Sequence, residues 1–197
     1  MSVSVPSVGA TSHGLRLAAR TLAAGGIIAY PTEAVYGLGC DPLDANAVRR
    51  ILTIKGRPEQ KGLILIGADF NALLPFVVPL GAERMAEILA SWPGPNTWLL
   101  PARPETPRWL TGDHETLAVR VPGHPVARAL CAAWAHGGGG ALVSTSANQA
   151  RRVPARNALQ VRQRLKSGPD LILNAPCGSS PRPSSIRDGR TGRLLRT

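Results

Sequence analysis

The sequence has few cysteines, few acids, almost no lysine and no long hydrophobic segment. Its cysteines, Cys40, Cys131 and Cys177, are too few and too widely spaced for a disulfide framework or a CxxC zinc site. The longest apolar runs, such as residues 63–66, have the length of a strand, which excludes a membrane-spanning helix. Residues 1–14 contain no Lys or Arg and no apolar block, which argues against a signal peptide. We therefore expect a soluble, cytoplasmic protein that makes no membrane contact.

Motifs of several enzyme and cofactor classes are also missing. The sequence contains no GxGxxG, no GxxxxGK[ST] and no GxSxG, so dinucleotide-binding, P-loop and serine-hydrolase sites have no support. The four histidines show no metal-ligand spacing, and we expect no metal ligands from the chain itself. The tryptophans are scattered, without the aromatic interleaving of a single-strand nucleic-acid surface.

The chain of 197 residues is strongly basic, with 23 Lys and Arg against 12 Asp and Glu and a net charge of +11. The segment 116–169 contains no acid but seven arginines and one lysine. A GC-rich genome accounts for much of the arginine excess, but not for the closeness of Lys55 and Lys61, two of only three lysines. Such a surface attracts nucleic acid or a nucleotide triphosphate, and charge alone does not choose between them or exclude a merely solvated basic face.

Short apolar runs alternate with segments of helical period, which predicts one α/β domain over residues 1–197. We expect an open, twisted mixed sheet flanked by helices, with residues 1–11 as a loose N-terminal tail. Predicted strands cover 27–30, 35–40, 62–67, 98–100, 117–121, 141–144, 171–173, 185–187 and 194–196. Predicted helices cover 15–24, 45–55 after an N-cap at Asp44, a short segment from Asp69, 81–91 with Met85, Ile88 and Leu89 inward, 125–134 and 155–165.

The segment YPTEAVYGLG, residues 30–39, places Thr32 and Glu33 at the tip of a turn between two predicted strands. Turn tips are exposed, so both side chains can reach a ligand. An ordinary hairpin with a solvated tip is the alternative, and the pattern alone favours it.

The segment KGRPEQKG places three cations, Lys55, Arg57 and Lys61, at the end of a predicted helix, where Pro58 prevents its continuation. A guanidinium and two ammonium groups this close favour a phosphate ligand. Capping of the helix C-terminus is the alternative, and it accounts more easily for one cation than for three.

Small polar residues, 144–148, follow a predicted buried strand. Such residues allow backbone amides to approach a phosphate, although they also suit a helix N-cap.

Arg120 lies within a strand-like run and therefore needs an anionic partner, either an acid of the chain or a substrate carboxylate. The two prolines and one glycine of the turn 92–97 (WPGPNT) favour a purely structural role for it.

Six segments occur in the order YPTEAVYGLGCDP, KGRPEQKGLILI, SWPGPNTWLLPA, TLAVRVPGHP, STSAN and SSIRD. Together they resemble the YrdC-like family over residues 12–196, most closely its short bacterial form. These are the threonylcarbamoyl-AMP synthases, nucleotidyltransferases that begin the t6A modification of tRNA. The resemblance implies a twisted open α/β sheet with a large basic concave cavity. It also implies the reaction of L-threonine, bicarbonate or CO2, and ATP to give threonylcarbamoyl-AMP and pyrophosphate.

The resemblance further implies roles for individual residues. Lys55 and Arg57 match the KxR element and are expected to be catalytic. The residues expected to bind ATP are Lys55, Arg57, Thr97, Ser144, Ser146, Asn148 and Arg196. The residues expected to bind threonine are Thr32, Lys61, Arg120 and Ser184, with Arg120 on the carboxylate. The stretch 149–151 (QAR) departs from the leucine-serine-glycine common after SAN, and the loop 175–184 aligns poorly.

Mg²⁺ is expected to be carried by the ATP phosphates, because no pair of carboxylates stands out as a metal cage. The resemblance implies downstream threonylcarbamoyl-transfer proteins as partners, and direct contact with tRNA or another RNA is compatible with it. The alternative is a non-catalytic RNA-binding or ribosome-maturation protein, motivated by the charge and the acid-free segment. That alternative predicts salt-sensitive RNA binding that is indifferent to ATP and threonine.

Overall fold

Ten strands form one open sheet in the computed structural model, which describes residues 5–165 and 168–196. The strands are β1 (Ser7–Gly9), β2 (Ile28–Pro31), β3 (Tyr36–Gly39), β4 (Ile64–Ile66), β5 (Asn96–Pro101), β6 (Thr116–Arg120), β7 (Leu142–Ser146), β8 (Leu171–Asn174), β9 (Ser185–Asp188) and β10 (Leu194–Arg196). The helices are α1 (Ser12–Ala23), α2 (Ala45–Lys55), α3 (Ala82–Ala90), α4 (Arg108–Thr111), α5 (Pro125–His136) and α6 (Ala158–Arg164), with one 3₁₀ turn at Glu59–Lys61. No helix in these two ranges is long and apolar enough to cross a membrane.

The strand order is β1-β8-β2-β3-β7-β4-β6-β5-β9-β10. Four neighbouring pairs, β1 with β8, β8 with β2, β4 with β6, and β5 with β9, are parallel, and the other five are antiparallel. The predicted mixed, open α/β sheet is therefore confirmed.

Alternating side chains of the strands fill two separate cores. On β2, Ile28 and Tyr30 pack with α1 and α5, whereas Ala29 belongs to the core on the other face, which also contains residues of α2, α3 and α6. On β7, Leu142 belongs to the core that contains α1 and α5, and Val143 belongs to the core on the opposite face of the sheet. Successive strand residues point to opposite faces, so a sheet covered by helices on both sides needs apolar residues at consecutive positions. This explains why these strands appear in the sequence as continuous apolar runs.

Helix α2 begins and ends as the sequence predicts. Asp44 caps it, its Oδ1 accepting hydrogen bonds from the backbone N–H groups of Asn46 (2.9 Å) and Ala47 (3.0 Å). Gly56 follows the last turn with a φ of 57°, the left-handed conformation that glycine adopts without strain. The two caps fix Lys55 as the last residue of the helix.

The prediction of a loose tail over residues 1–11 is wrong for residues 7–9, which form β1. This strand pairs in parallel with β8, and the backbone N–H of Ile172 donates to the Pro6 carbonyl (3.0 Å). Without β1, one side of β8 would expose its backbone groups, so pairing satisfies them. Residues 1–4 lie outside the described part of the chain.

The predicted helix from Asp69 is also wrong, because residues 71–76 form turns. Asp69 Oδ1 accepts from the Ala72 N–H (3.1 Å), but Pro75 has no N–H and disfavours a helical residue before it. Leu89, predicted to point inward, is 43% exposed, because the buried stripe of the short α3 comprises only Met85 and Ile88. Helix α4 and the 3₁₀ turn were not predicted.

Replacing Asp44 with Ala removes the acceptor for two N–H groups of α2. We expect the free energy of unfolding to fall by about 1 kcal/mol. Thermal or urea denaturation measures this difference. Asp113→Ala is the control, because its ion pair with Arg108 is long (3.4 Å) and exposed and should contribute less than about 0.5 kcal/mol. Equal stability of the two variants would contradict the capping role.

Candidate active site

The ends of several strands and of α2 surround a cavity of about 720 Å³. Its polar lining comes from segments far apart in the chain: Thr32, Glu33, Lys55, Arg57, Lys61, Arg120, Ser144, Thr145, Ser146, Asn148, Arg151, Ser184 and Arg196. Six of these residues are cations and one is a carboxylate. A cavity of this size holds a ligand as large as a nucleotide, and its charge favours an anion.

Lys55 lies between α2 and the loop after β7, with only 5% of its surface exposed. Its Nζ donates to the carbonyl of Ser146, to the carbonyl of Asn148 (3.0 Å) and to Asn148 Oδ1 (3.3 Å). Three acceptors match the three N–H bonds of an ammonium group. Burial, followed by the nearby charge of Arg57, lowers the pKa of Lys55 to about 8. Lys55 therefore still carries its charge at pH 7.

The side chain of Asn148 links Lys55 to the loop that follows. Its Oδ1 accepts from Ser146 Oγ (2.5 Å), and its Nδ2 donates to the carbonyls of Gln149 and Arg152, both at 2.8 Å. The asparagine is thus saturated with protein partners and closes residues 149–152 into a compact turn. Lys55, Ser146 and Asn148 form one hydrogen-bonded unit in one wall of the cavity.

Arg57 fixes the segment between α2 and β4. Its Nε and Nη2 donate to the Gly62 carbonyl (3.1 and 2.9 Å), and Nη2 also donates to the Lys61 carbonyl (3.0 Å). Burial and the charge of Arg196 lower the pKa of Arg57. The guanidinium therefore holds the 57–62 turn against the cavity and places its charge near Arg196.

Glu33, predicted at a turn tip, is the anionic partner that Arg120 requires. Both Glu33 carboxylate oxygens lie 2.9 Å from Arg120 Nη1, and Oε1 also accepts from the Gly123 N–H (2.8 Å). Burial acts to raise the pKa of Glu33, but the charge of Arg120 and the backbone N–H groups outweigh it and the pKa is lowered. Arg120 Nε is buried without a partner, while Nη2 makes no hydrogen bond within the described residues. Arg120, which lines the cavity, thus keeps one terminal nitrogen, Nη2, without a protein partner among the described residues.

The loop 175–184 crosses from β8 to β9 and is fastened to the turn after β2. The Gly178 N–H donates to the Thr32 carbonyl (2.9 Å), and the Ser180 N–H donates to the Glu33 carbonyl (3.0 Å). Thr32 Oγ1 in turn donates to the Val35 carbonyl (2.7 Å). These bonds make the loop a wall of the cavity and bring Ser184 to its lining.

Thr97 is the one predicted site residue that does not line the cavity. It is fully buried on β5, and its Oγ1 donates to Ser184 Oγ (3.0 Å). Its position behind Ser184 lets it orient that hydroxyl. Ser144 is held in a similar way, by the phenol of Tyr30 at 2.8 Å.

The structure brings the other ten predicted site residues together at the lining: Thr32, Lys55, Arg57, Lys61, Arg120, Ser144, Ser146, Asn148, Ser184 and Arg196. Residue patterns did not predict the roles of two further lining residues, Glu33 and Arg151. Glu33 was assigned to a solvated tip, although its turn was recognised, and Arg151 was noted only as a departure from a family pattern.

The described residues do not provide a resident metal site. No group of three or more His, Cys, Asp or Glu side chains is placed to bind a metal ion. Glu33 is the carboxylate of the cavity, and both its oxygens are occupied by Arg120 and Gly123.

A second cleft of about 720 Å³ lies between α2 and α6, with Arg49, Arg50 and Arg164 in its lining. Arg50 is paired with Asp170 (2.8 Å), and Arg164 donates to the carbonyls of residues 153 and 154. Among the described residues, this cleft lacks a buried cluster of hydrogen-bonded polar side chains such as the one around Lys55. The cavity lined by Lys55 is therefore the better candidate for an active site.

Residues 20–197 match the model of the Sua5/YciO/YrdC family, which carries the description "Telomere recombination". The chain belongs to this family. Members with similar sequences include the threonylcarbamoyl-AMP synthase of Halorhodospira halophila, 54% identical over 182 residues that cover 92% of this chain and 93% of that protein. The threonylcarbamoyl-AMP synthase of Nitrosococcus oceani is also 54% identical, over 92% of this chain and 96% of that protein.

Solved structures of Sua5/YciO/YrdC members share the fold. P. abyssi Sua5 complexed with L-threonine superposes with a TM-score of 0.86 at 32% identity, over 98% of this chain and 57% of that chain. E. coli YciO superposes with a TM-score of 0.81 at 26% identity, over 94% of this chain and 89% of that chain. The single α/β domain expected from the sequence is thus the fold of the family.

Replacing Glu33 with Gln removes the charge facing Arg120, which is 6% exposed. We expect the free energy of unfolding at pH 7 to fall by about 3 kcal/mol, because a buried cation loses its partner. Urea denaturation measures the loss. Since the pKa of Glu33 lies below 4.5 in the folded protein, the wild-type advantage is complete above that pH and disappears as the pH falls through the folded value.

The matched control for this experiment is Glu59→Gln, which changes an exposed carboxylate and should leave stability within about 0.5 kcal/mol. If the Glu33 variant were as stable as the wild type at pH 7, or if the difference persisted unchanged in acid, the ion pair would not have this role.

Proposed function

We infer that this chain is a threonylcarbamoyl-AMP synthase. The observation that carries this conclusion is the convergence of Lys55, Arg57, Arg120, Ser146 and Asn148 on one basic cavity in a chain 54% identical to synthases over nearly its whole length. The reaction joins L-threonine, bicarbonate and ATP to give threonylcarbamoyl-AMP, pyrophosphate and water. A basic cavity of about 720 Å³ suits ATP, bicarbonate and the carboxylate of threonine.

We propose that ATP lies against the wall formed by α2 and the loop after β7. Lys55 and Arg57 provide positive charge there, and the hydroxyl of Ser144 and the backbone around Ser146 provide polar contacts. Arg196 lies at the same cavity, and its Nη2 is at the limit of hydrogen bonding to the Ser184 carbonyl (3.5 Å). Lys55 acts mainly by fixing this wall, since its three N–H bonds already have protein acceptors.

We propose that threonine lies at the end of the cavity that contains Arg120. Glu33 holds one terminal nitrogen of the guanidinium, so the other is oriented toward a substrate carboxylate. Thr32, Lys61 and Ser184 complete this end. The L-threonine complex of the Sua5 relative supports an amino acid site in this fold.

In the proposed mechanism the threonine amine and bicarbonate form a carbamate with loss of water. A carbamate oxygen then attacks the α-phosphorus of ATP, forming an O–P bond, while the bond to the β-phosphate oxygen breaks and pyrophosphate leaves. Such a step needs positioned reactants and positive charge around the phosphorus more than it needs an acid–base pair. The cations of the cavity meet that need.

We propose that Mg²⁺ arrives as part of the substrate, bound to the ATP phosphates, since the cavity carboxylate is already paired. Its charge would neutralise the phosphate chain together with the protein cations. We further propose a cytoplasmic enzyme whose product is used by separate threonylcarbamoyl-transfer proteins acting on tRNA, with direct RNA contact through the arginine-rich surface.

Incubation of the protein with L-threonine, bicarbonate and MgATP should produce threonylcarbamoyl-AMP and pyrophosphate. Mass spectrometry detects the adenylate, and omission of any one substrate should abolish it. Product without threonine or without bicarbonate, or no product from the complete mixture, would contradict the proposed function.

Lys55→Met should reduce the rate of product formation by about 100-fold, because the charged anchor of the cavity wall is lost. Arg49→Met is the matched control on the exposed face of α2 and should keep wild-type activity. Circular dichroism shows whether each variant is folded. Full activity in a folded Lys55 variant would exclude this residue from the site.

A further inference from the structure

The cations that line the cavity differ in what their nitrogens already bind. Lys55, Arg57 and Arg120 are held by protein oxygens. Lys61 and Arg151 are exposed, and neither side chain donates to another residue in the described ranges. The ion pairs within the same ranges involve other arginines. Arg196, the sixth lining cation, has one contact at the limit of hydrogen bonding, 3.5 Å to the Ser184 carbonyl. Lys61 and Arg151 are therefore the two lining cations whose side chains have no protein partner in the described ranges.

Arg151 also has an unusual backbone. Its φ is 63°, and among the described residues it is the one non-glycine residue with a positive φ. L-residues seldom adopt this conformation, because the Cβ atom approaches a carbonyl oxygen. The surrounding loop imposes it: the Ala150 N–H donates to the Lys55 carbonyl (2.7 Å), and Asn148 Nδ2 donates to the Arg152 carbonyl (2.8 Å).

Glycine would fit this backbone without strain, so the arginine is not explained by the stability of the loop. What it adds is a guanidinium at the cavity lining, carried on a turn that the Lys55 unit holds in place. A planar guanidinium presents its N–H groups in a fork that matches two phosphate oxygens. No free carboxylate in the cavity competes for it, since Glu33 is paired with Arg120.

We propose that Arg151 binds the β- and γ-phosphates of ATP, the part that leaves as pyrophosphate. This role depends on the proposed function and extends it to a residue outside the matched family elements. The leaving group must depart toward solvent, and Arg151 is an exposed residue of the cavity lining. Arg120 is buried and, like Lys61, belongs to the proposed threonine end, which leaves the guanidinium of Arg151 for the outer phosphates.

The test is to titrate MgATP, magnesium pyrophosphate and AMP separately into the wild type and Arg151→Gly by calorimetry, without threonine or bicarbonate. We expect roughly tenfold weaker binding of ATP and of pyrophosphate in the variant, and an unchanged affinity for AMP. Unchanged ATP affinity would overturn the assignment. An equal loss for AMP would also overturn it, because the contact would then lie at the adenosine monophosphate part.

Arg152→Ala is the matched control, because Arg152 is the adjacent exposed arginine and does not line the cavity. It should bind ATP as the wild type does, and an equal loss in this variant would indicate diffuse attraction instead of a contact. Arg151→Lys should recover part of the affinity. The melting temperature of Arg151→Gly should equal or exceed that of the wild type, which separates lost binding from lost structure.

The measurements distinguish a failure of the proposed role of Arg151 from a failure of the proposed function. A wild type that makes threonylcarbamoyl-AMP, together with an Arg151→Gly variant that binds ATP normally, overturns only the role of Arg151. A wild type that neither binds ATP nor makes the product overturns the proposed function and this role together.

Discussion

The geometry of the site depends on one buried ammonium group. Lys55 ends α2 and donates to oxygens 91 and 93 residues further along the chain. A buried charge is unfavourable unless hydrogen-bond acceptors surround it, so the position of this ammonium group dictates where Ser146 and Asn148 must lie. Asn148 in turn closes the following loop. A helix end, a strand end and a loop are thereby fixed relative to one another around the cavity.

Residue patterns and the family resemblance together pointed to most residues of the candidate site, because its segments are short and chemically distinctive. The need of Arg120 for an anion was predictable from its place in an apolar strand, but its partner was not. Glu33 lies 87 residues away in sequence, and a Thr-Glu turn has the local pattern of a solvated hairpin tip. Only the fold, which brings the turn after β2 against Arg120 at the end of β6, decides between an internal carboxylate and a substrate as the partner, and no local pattern encodes that arrangement.

The elements of the fold likewise include some that local residues predict and others that depend on residues distant in the chain. Asp44 and Pro58 are local signals, and they correctly indicated where α2 begins and that it ends before Pro58. The segment after Asp69 has an equally good cap residue, but Pro75 prevents the helix from continuing. Strand β1 is only three residues long, and it exists because β8 offers an unpaired edge. Its own sequence carries too little apolar pattern to predict a strand.

The loop 175–184 is rich in proline, serine and glycine, yet backbone hydrogen bonds to the turn after β2 hold it in place. Main-chain bonds do not depend on side-chain identity, so most of this loop can diverge in evolution as long as its length is kept. Gly178 is one exception, because a Cβ atom there would lie 2.7 Å from the Glu33 carbonyl oxygen, and Ser184 is another, because its side chain lines the cavity. Insertions and deletions should therefore be far less tolerated in this stretch than point substitutions.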